Sequence, residues 1–285
     1  MVDLGPIGVW WSGTWHPADQ PDVDGAAELE ALGYGALWSS AGFEAGLPSR
    51  FGRLLDSTHH AAVATGIASV WVTPPESIAA AAADLEARFQ GRFLLGLGVS
   101  HSVIVADYAK PYSKMAAYLD ALDTLDAPVP PERRVLAALG PRMLSLAAER
   151  AAGAHPYFVP VEHTAKARET LGRGPLLAPE VAVVVDAEPG RARALARVYA
   201  SIYLPLPNYA DNLRRLGYGD DDIEHGGSDR LIDAVIPWGD AETVAGRIRE
   251  HLDAGADHVC VQVVAEGLDL PLAGYRELAA ALFGT

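Results

Sequence analysis

Short apolar runs alternate along the chain with longer stretches in which apolar residues recur at helical spacing. Ile7-Gly8-Val9-Trp10-Trp11 is β-branched and aromatic. A polar, proline-containing stretch separates it from Ala26, Ala27, Leu29 and Leu32, a helical pattern closed by Gly33. The alternation repeats with a second strand over 35–40, a helix through Leu54 to Ala64 and a third strand from Ile67 to Thr73. A helix entered at Pro74-Pro75 runs to about Phe89, and a fourth strand covers Phe93 to Gly98. A fifth strand, Arg134 to Leu139, leads through Gly140-Pro141 into a helix from Arg142 to Ala152. A sixth, His155 to Val159, leads into a helix around Glu162 to Leu171. The seventh strand is Val181 to Asp186, the eighth His258 to Val264, and a last helix covers Leu272 to Leu282. Between strands seven and eight lies a helical excursion, Gly190 to Ala234. After it Gly239-Asp240 caps a helix from Ala241 to Ala254.

Strands alternating with helices predict a parallel sheet, and eight such repeats closed by a helix predict a (β/α)8 TIM barrel of class α/β. The whole chain, 1–285, reads as one domain with a helical insertion between strands seven and eight, about 190–234. An open dinucleotide-binding sheet is the weaker reading, because Trp11-Ser12-Gly13-Thr14 lacks the glycine spacing that follows a first strand there.

Composition narrows the chemistry. Half of the 285 residues are hydrophobic, enough for a core, and Cys260 is the sole cysteine, so one chain builds neither a disulfide nor a thiolate metal cage. Within Val259-Cys260-Val261 it reads as a buried small hydrophobe. A net charge of −15 disfavours nucleic acid, whose binding needs a basic face. No secretion signal or membrane-length apolar run is present, so a cytosolic location and a small-molecule substrate are expected, without membrane partners.

In a barrel the reacting groups sit at the carboxyl ends of the strands. The fourth strand ends Gly96-Leu97-Gly98-Val99-Ser100-His101, where the glycines suit either a tight packing turn or the close approach of a flat ring or phosphate. The fifth ends Leu139-Gly140-Pro141-Arg142, either an ordinary turn or a helix N-terminus holding a phosphate with Arg142 assisting. Of the histidines, His101 and His155 fall at strand ends. His101 is the candidate for proton transfer, and His155, Trp10 and Trp71 are candidates for lining the substrate site. His59-His60 are placed on a helix as surface or packing residues. Asp220-Asp221-Asp222 reads as a helix start rather than a metal site, and no metal is expected.

Taken in order, these segments resemble the luciferase-like monooxygenase superfamily, and within it the oxidoreductases that use the deazaflavin coenzyme F420. The likeness runs through Ala64-Thr65-Gly66-Ile67, Val70-Trp71 and Gly91-Arg92-Phe93-Leu94-Leu95-Gly96-Leu97-Gly98-Val99-Ser100-His101. It continues in Lys110-Pro111-Tyr112-Ser113-Lys114-Met115, Leu139-Gly140-Pro141-Arg142-Met143, Gly153-Ala154-His155-Pro156-Tyr157 and Asp253-Ala254-Gly255-Ala256-Asp257-His258-Val259. The resemblance implies F420, or alternatively FMN, across the carboxyl end of the barrel, hydride transfer at the ring, and a homodimer. It implies a cis peptide bond at Ile67–Ala68, within one or two residues, in a bulge backing the ring. Gly98, Val99 and Ser100 match the segment that contacts the ring, and Leu139, Gly140 and Pro141 match the phosphate turn. The chain departs from the pattern at Ala41 and Gly42, where several relatives carry an Asp-His pair, and at His101, where the sugar-phosphate dehydrogenases carry an acid. That pattern points away from alcohol oxidation and toward reduction of an activated double bond or imine, with His101 supplying the proton. An FMN-dependent monooxygenase and a non-catalytic ligand-binding barrel are the alternatives.

Overall fold

The computed structural model describes residues 1–11, 21–41, 47–103, 105, 107–267 and 269–284. In chain order the elements are β1 (Ile7–Trp11), α1 (Pro21–Ala31), β2 (Ala36–Ser39), α2 (Leu47–Asp56), β3 (Ala62–Thr65), β4 (Ala68–Ser69), α3 (Pro75–Arg88), β5 (Phe93–Gly98), α4 (Pro111–Asp123), β6 (Arg134–Leu136), α5 (Pro141–Arg150) and β7 (Gly153–Ala154). There follow α6 (Val161–Leu171), β8 (Leu176–Leu177), β9 (Glu180–Val185), α7 (Pro189–Tyr203), α8 (Pro207–Arg215), α9 (Asp220–Ile223), α10 (Asp229–Val235), β10 (Trp238–Gly239), α11 (Ala241–Asp253), β11 (Val259–Val263) and α12 (Leu272–Phe283).

All strand pairs are parallel, in the order β9, β11, β1, β2, β3, β5, β6, β7, β8, with β4 beside β5 and β10 on the outer side of β9. The ring closes because β8 and β9 are one staggered strand bent at Pro179. Ala178 N donates to Ala154 O on one side (2.9 Å), and Cys260 N donates to Pro179 O on the other (2.9 Å). The result is a (β/α)8 barrel, as the alternation predicts.

Period-two alternation sorts the side chains. Trp10, Ala36, Trp38, Ala62, Ala64, Leu94, Val135 and Cys260 pack together inside the barrel. Val9, Leu37, Val63, Phe93, Leu95 and Leu136 pack outward under the helices. This explains the largest departure from the sequence reading. Ala62-Val63-Ala64-Thr65 was expected to end a helix, but here alanines leave room for the indoles of Trp10 and Trp38, and pairing with β2 in the register Ala36↔Ala62 overrides their helical propensity. The third strand is therefore Ala62–Thr65 continued by Ala68–Ser69, and Trp71 follows it in a turn. His59-His60 lie in the loop before it, where their N–H groups and that of Ala61 donate to the Glu30 carboxylate. The sixth strand is likewise earlier than expected, at Gly153–Ala154. One helix was not anticipated: α4 buries Met115, Tyr118, Leu119 and Leu122, an i, i+3, i+4, i+7 stripe.

The excursion is present as α7 to α10, with its own core of Tyr199, Leu204, Tyr209, Leu213, Leu231 and Ile232 against Phe158 and Val184. Asp220–Asp222 form the first turn of α9, as the helix-start reading has it, and Asp222 accepts from Ser228 Oγ and Arg230. Among the described residues no helix is long and apolar enough to cross a membrane.

Candidate functional site at the carboxyl end of the barrel

The turns after β5 and β6 lie side by side at one end of the barrel. Ala137 N donates to Leu97 O (2.8 Å), and a Cβ on Gly98 would stand 3.3 Å from that of Ala137. The bulge between β3 and β4 joins them from the other flank. Its cis peptide is Gly66–Ile67, one residue before the position the resemblance implies. Ile67 packs into the space beside Gly98, with its Cδ1 2.5 Å from where a Cβ would be. Ala68 pairs with Leu97 in register and is buried. Ile67, Ala68 and Gly98 therefore form one wall, and close packing is what demands glycine at position 98. Ser100 follows with a left-handed backbone (φ 57°), turning the chain toward His101.

Trp71 closes this side by donating its Nε1–H to Val99 O (2.7 Å), so the indole is spent on the rim. Lys114 lies over its ring at 5.0 Å. Arg142 lies over Tyr112 (4.4 Å) and is exposed, leaving the helix end uncovered. No side chain caps α5 at Gly140, and His163 Nε2–H fastens the turn by donating to Leu139 O (2.9 Å). A second guanidinium arrives from the insertion: Arg215 Nη2 lies 3.7 Å from where Gly140 would carry a Cβ. Among the described residues neither Arg142 nor Arg215 pairs with a carboxylate, whereas most arginines of this acidic chain do.

The floor is aromatic. His155 is fully buried at the end of β7 and stacks on Trp38 (4.3 Å), and its Nδ1–H donates to Ala178 O (2.7 Å). Burial lowers its pKa to about 4, so it is neutral and its Nε2 is an acceptor. That Nε2 and Trp10 Nε1–H are both buried without a hydrogen-bond partner, and both face Gly66. A Cβ there would stand 2.5 Å from Trp10 Nε1 and 3.3 Å from His155 Nε2. A donor and an acceptor thus converge on Gly66, which packs closely against both. Below them Trp38 Nε1–H donates to His258 Nε2 (3.0 Å), whose Nδ1–H donates to Gly5 O (2.7 Å).

His101 is half-buried beneath the insertion. Its Nδ1–H donates to Asn208 Oδ1 (3.2 Å), and its ring lies 5.4 Å from that of Tyr209. Burial lowers its pKa, partly countered by Asn208, so its Nε2 is the free, unprotonated nitrogen at neutral pH. Tyr157, Tyr199, Tyr203 and Tyr209 form the roof, with Tyr157 edge-on to Trp10 at 5.4 Å.

The structure thus gathers the predicted residues at one end: Trp10, Ile67, Ala68, Trp71, Gly98 to His101, Leu139 to Arg142 and His155. Trp15, Gly42 and Phe43 lie outside the described residues. Sequence reasoning missed Arg215, Asn208, Glu180, Gln262 and the tyrosine roof. A groove of about 590 Å3, lined by Ala187, Asp233, Trp238, Thr243 and Arg247, lies apart from all the predicted residues. Among the described residues no cluster of His, Cys, Asp or Glu is arranged to hold a metal ion.

Comparison with known proteins agrees with this fold. The model of the luciferase-like monooxygenase family matches residues 20–258. Curated protein sequences give no match. Among solved structures, an F420-dependent secondary alcohol dehydrogenase in complex with an F420–acetone adduct superposes with a TM-score of 0.73 at 15% identity, covering 98% of this chain and 99% of that one. The coenzyme F420-dependent tetrahydromethanopterin reductase from Methanopyrus kandleri gives 0.73 at 18% identity, covering 98% of each chain. The oxygenating constituent of 3,6-diketocamphane monooxygenase from Pseudomonas putida, in complex with FMN, gives 0.66 at 14%, covering 98% of this chain and 96% of that one.

Proposed function

Because the chain belongs to the luciferase-like monooxygenase family, we propose that it is an F420-dependent oxidoreductase that reduces an activated double bond or imine in a small organic substrate. The observation that carries this reading is the uncapped N-terminus of α5 with the Arg215 guanidinium beside Gly140 and Arg142 on its first turn with its guanidinium over Tyr112, neither paired with a carboxylate among the described residues. In a protein of net charge −15, an end with free N–H groups and two unneutralised cations suits an anion, and F420 carries a tail with several negative charges.

The other end of the site fits a flat polar ring. Trp10 Nε1–H and His155 Nε2 are a buried donor and acceptor without partners, and a ring edge bearing a carbonyl and an N–H would satisfy both. Ile67, Ala68 and Gly98 would back the ring. Leu139, Gly140 and Pro141 would place the tail, and Val99 and Ser100 would lie between ring and tail. When bound, the deazaflavin supplies two-electron hydride chemistry. The chain orients the ring against Ile67 and Gly98 and excludes water with the tyrosine roof. His101 Nε2 faces the substrate as an acceptor, held in one tautomer by Asn208. The lack of an acid at position 41 leaves alcohol oxidation without the base seen in relatives.

Spectral titration with F420 and, separately, with FMN tests the reading. F420 is expected to bind and FMN to bind more weakly. FMN binding without F420 binding moves the protein to the flavin monooxygenases of the same family, and binding of neither leaves a non-catalytic barrel.

A further inference from the structure

Glu180 begins β9 and is fully buried within the barrel, and among the described residues no cation pairs with it. Its Oε2 accepts the N–H of Phe158 (3.3 Å), and its Oε1 lies 3.3 Å from the hydroxyl of Tyr199. From Tyr199 the network continues to Gln262 Oε1 (2.9 Å) and to the hydroxyl of Tyr157 (2.8 Å). Tyr157 in turn reaches Gln262 Oε1 and the hydroxyl of Tyr203, each at 3.0 Å. A carboxylate sealed from water with no cation beside it is costly, whereas a carboxylic acid there can donate to Tyr199 and still accept the N–H of Phe158.

The network also has a direction. Glu180 and Tyr199 are buried, while Tyr157, Tyr203 and Gln262 are partly open at the barrel mouth. The ring of Tyr157 stands edge-on to that of Trp10 at 5.4 Å. A chain of exchangeable protons thus runs from a closed carboxyl toward the barrel mouth. His101, neutral and already donating its one proton to Asn208, is placed to accept rather than to supply.

We propose that Glu180, Tyr199 and Tyr157 form a proton relay that supplies the proton accompanying hydride transfer to the substrate. The inference rests on the oxidoreductase reading above. A hydride adds to the substrate carbon and its electron pair forms the new C–H bond. The π bond of the C=C or C=N group breaks, and its electrons take the proton of Tyr157 at the other atom. Tyr157 recovers a proton from Tyr199, and Tyr199 from the Glu180 carboxyl. The carboxylate that remains recovers its proton from solvent back along Tyr157 and Tyr199 between turnovers. Burial keeps Glu180 neutral at rest, against the Phe158 N–H and the Tyr199 hydroxyl, which favour its charged form; the groups facing it, Tyr199 and Tyr203 from α7, Tyr157, Tyr209 from α8, Cys260 from β11 and Tyr275 from α12, have their pKa raised by burial and carry no charge. Burial raises Glu180 itself to about 8.

Infrared spectroscopy of the coenzyme-free protein tests the relay. At about pH 6 a carboxylic C=O band is expected that Glu180→Gln removes, that fades as pH rises through about 8, and that shifts in Tyr199→Phe and Tyr157→Phe. A missing band, or one unmoved by either tyrosine substitution, overturns the proposal. With reduced F420 and cyclohexenone, turnover near neutral pH is expected to fall at least tenfold in Glu180→Gln and Tyr157→Phe while F420 affinity holds; an unchanged rate also overturns it. The infrared readout needs no coenzyme. Failure of F420 to bind therefore sinks the functional reading, whereas an absent or unmoved band with F420 bound sinks the relay alone.

Discussion

Arg215 holds its guanidinium 3.7 Å from the point at which Gly140 would carry a Cβ, although one residue ends a helix of the insertion and the other caps a helix of the barrel. The insertion therefore brings a cation to the turn proposed to hold the coenzyme's tail. Replacing Arg215 by alanine is expected to weaken F420 binding about tenfold, the effect of one charge-assisted contact of roughly 1.4 kcal/mol. Arg142→Ala should act similarly, and both losses should shrink as salt is added. Affinities measured by fluorescence titration at two ionic strengths check this, and salt-independent losses would contradict it.

The His101–Asn208 bond engages Nδ1 and leaves Nε2 as the open imidazole nitrogen. Nitrogen NMR of labelled protein should show the Nδ1-protonated tautomer of His101, and Asn208→Ala should redistribute it toward the other. The same substitution should lower the pKa of His101 further, since Asn208 is the contact that favours its charged form. His101→Ala is expected to reduce turnover by roughly ten- to a hundredfold with little change in coenzyme affinity. An unaltered rate removes the imidazole from the chemistry.

Glu180 makes stability depend on pH in a defined direction. Its carboxyl titrates near 8 in the folded protein, against an ordinary value of 4.5. Between those values the folded chain keeps a proton that the unfolded chain has lost. The contribution is thus complete below about 4.5 and disappears as pH rises through about 8. A shift of this size corresponds to something on the order of 5 kcal/mol. Denaturant unfolding at about pH 5 and about pH 8 should show the wild type losing more stability than Glu180→Gln. Equal losses in the two proteins would refute the assignment.

Gly96 is locked between neighbours. A Cβ there would stand 2.0 Å from the carbonyl oxygen of Thr65, whose hydroxyl both donates to Gly96 O (2.8 Å) and accepts from Gly96 N (2.7 Å). Backbone cannot yield as a side-chain tip does, so Gly96→Ala should cost about 3 kcal/mol and lower the melting temperature by several degrees. A melting temperature equal to that of the wild type would contradict the packing.

The barrel was legible because period-two and period-3.6 patterns alternate so regularly; β5 falls at Phe93–Gly98, where the apolar run stands. Position 62–65 was not legible, since alanine favours helix and only the bulk of Trp10 and Trp38 across the barrel makes it the right size for a strand. The turns carrying Gly98 and Gly140 could be read, because strand ends place them. The roof could not be located from the pattern, because packing of the insertion on the barrel joins residues far apart in sequence. Two signals were nonetheless present: Tyr199 and Tyr203 are four apart on one helical face, and Glu180 is a lone acid at the head of the apolar run Val181-Ala182-Val183-Val184-Val185.

Asn208, Arg215 and the Tyr199–Tyr203 pair all belong to one stretch of chain that leaves the barrel after β9 and rejoins it at β10, which pairs with β9 at Val184 and Val185. Entry and exit are thereby neighbours, and the loop between them is a cassette. Its residues stand beside Gly140, hold the His101 ring and cover the mouth, while the hydrogen-bond register of the ring beneath is made by other segments. Changes of substrate preference in proteins built this way can accumulate within that one excursion without disturbing the staves of the barrel.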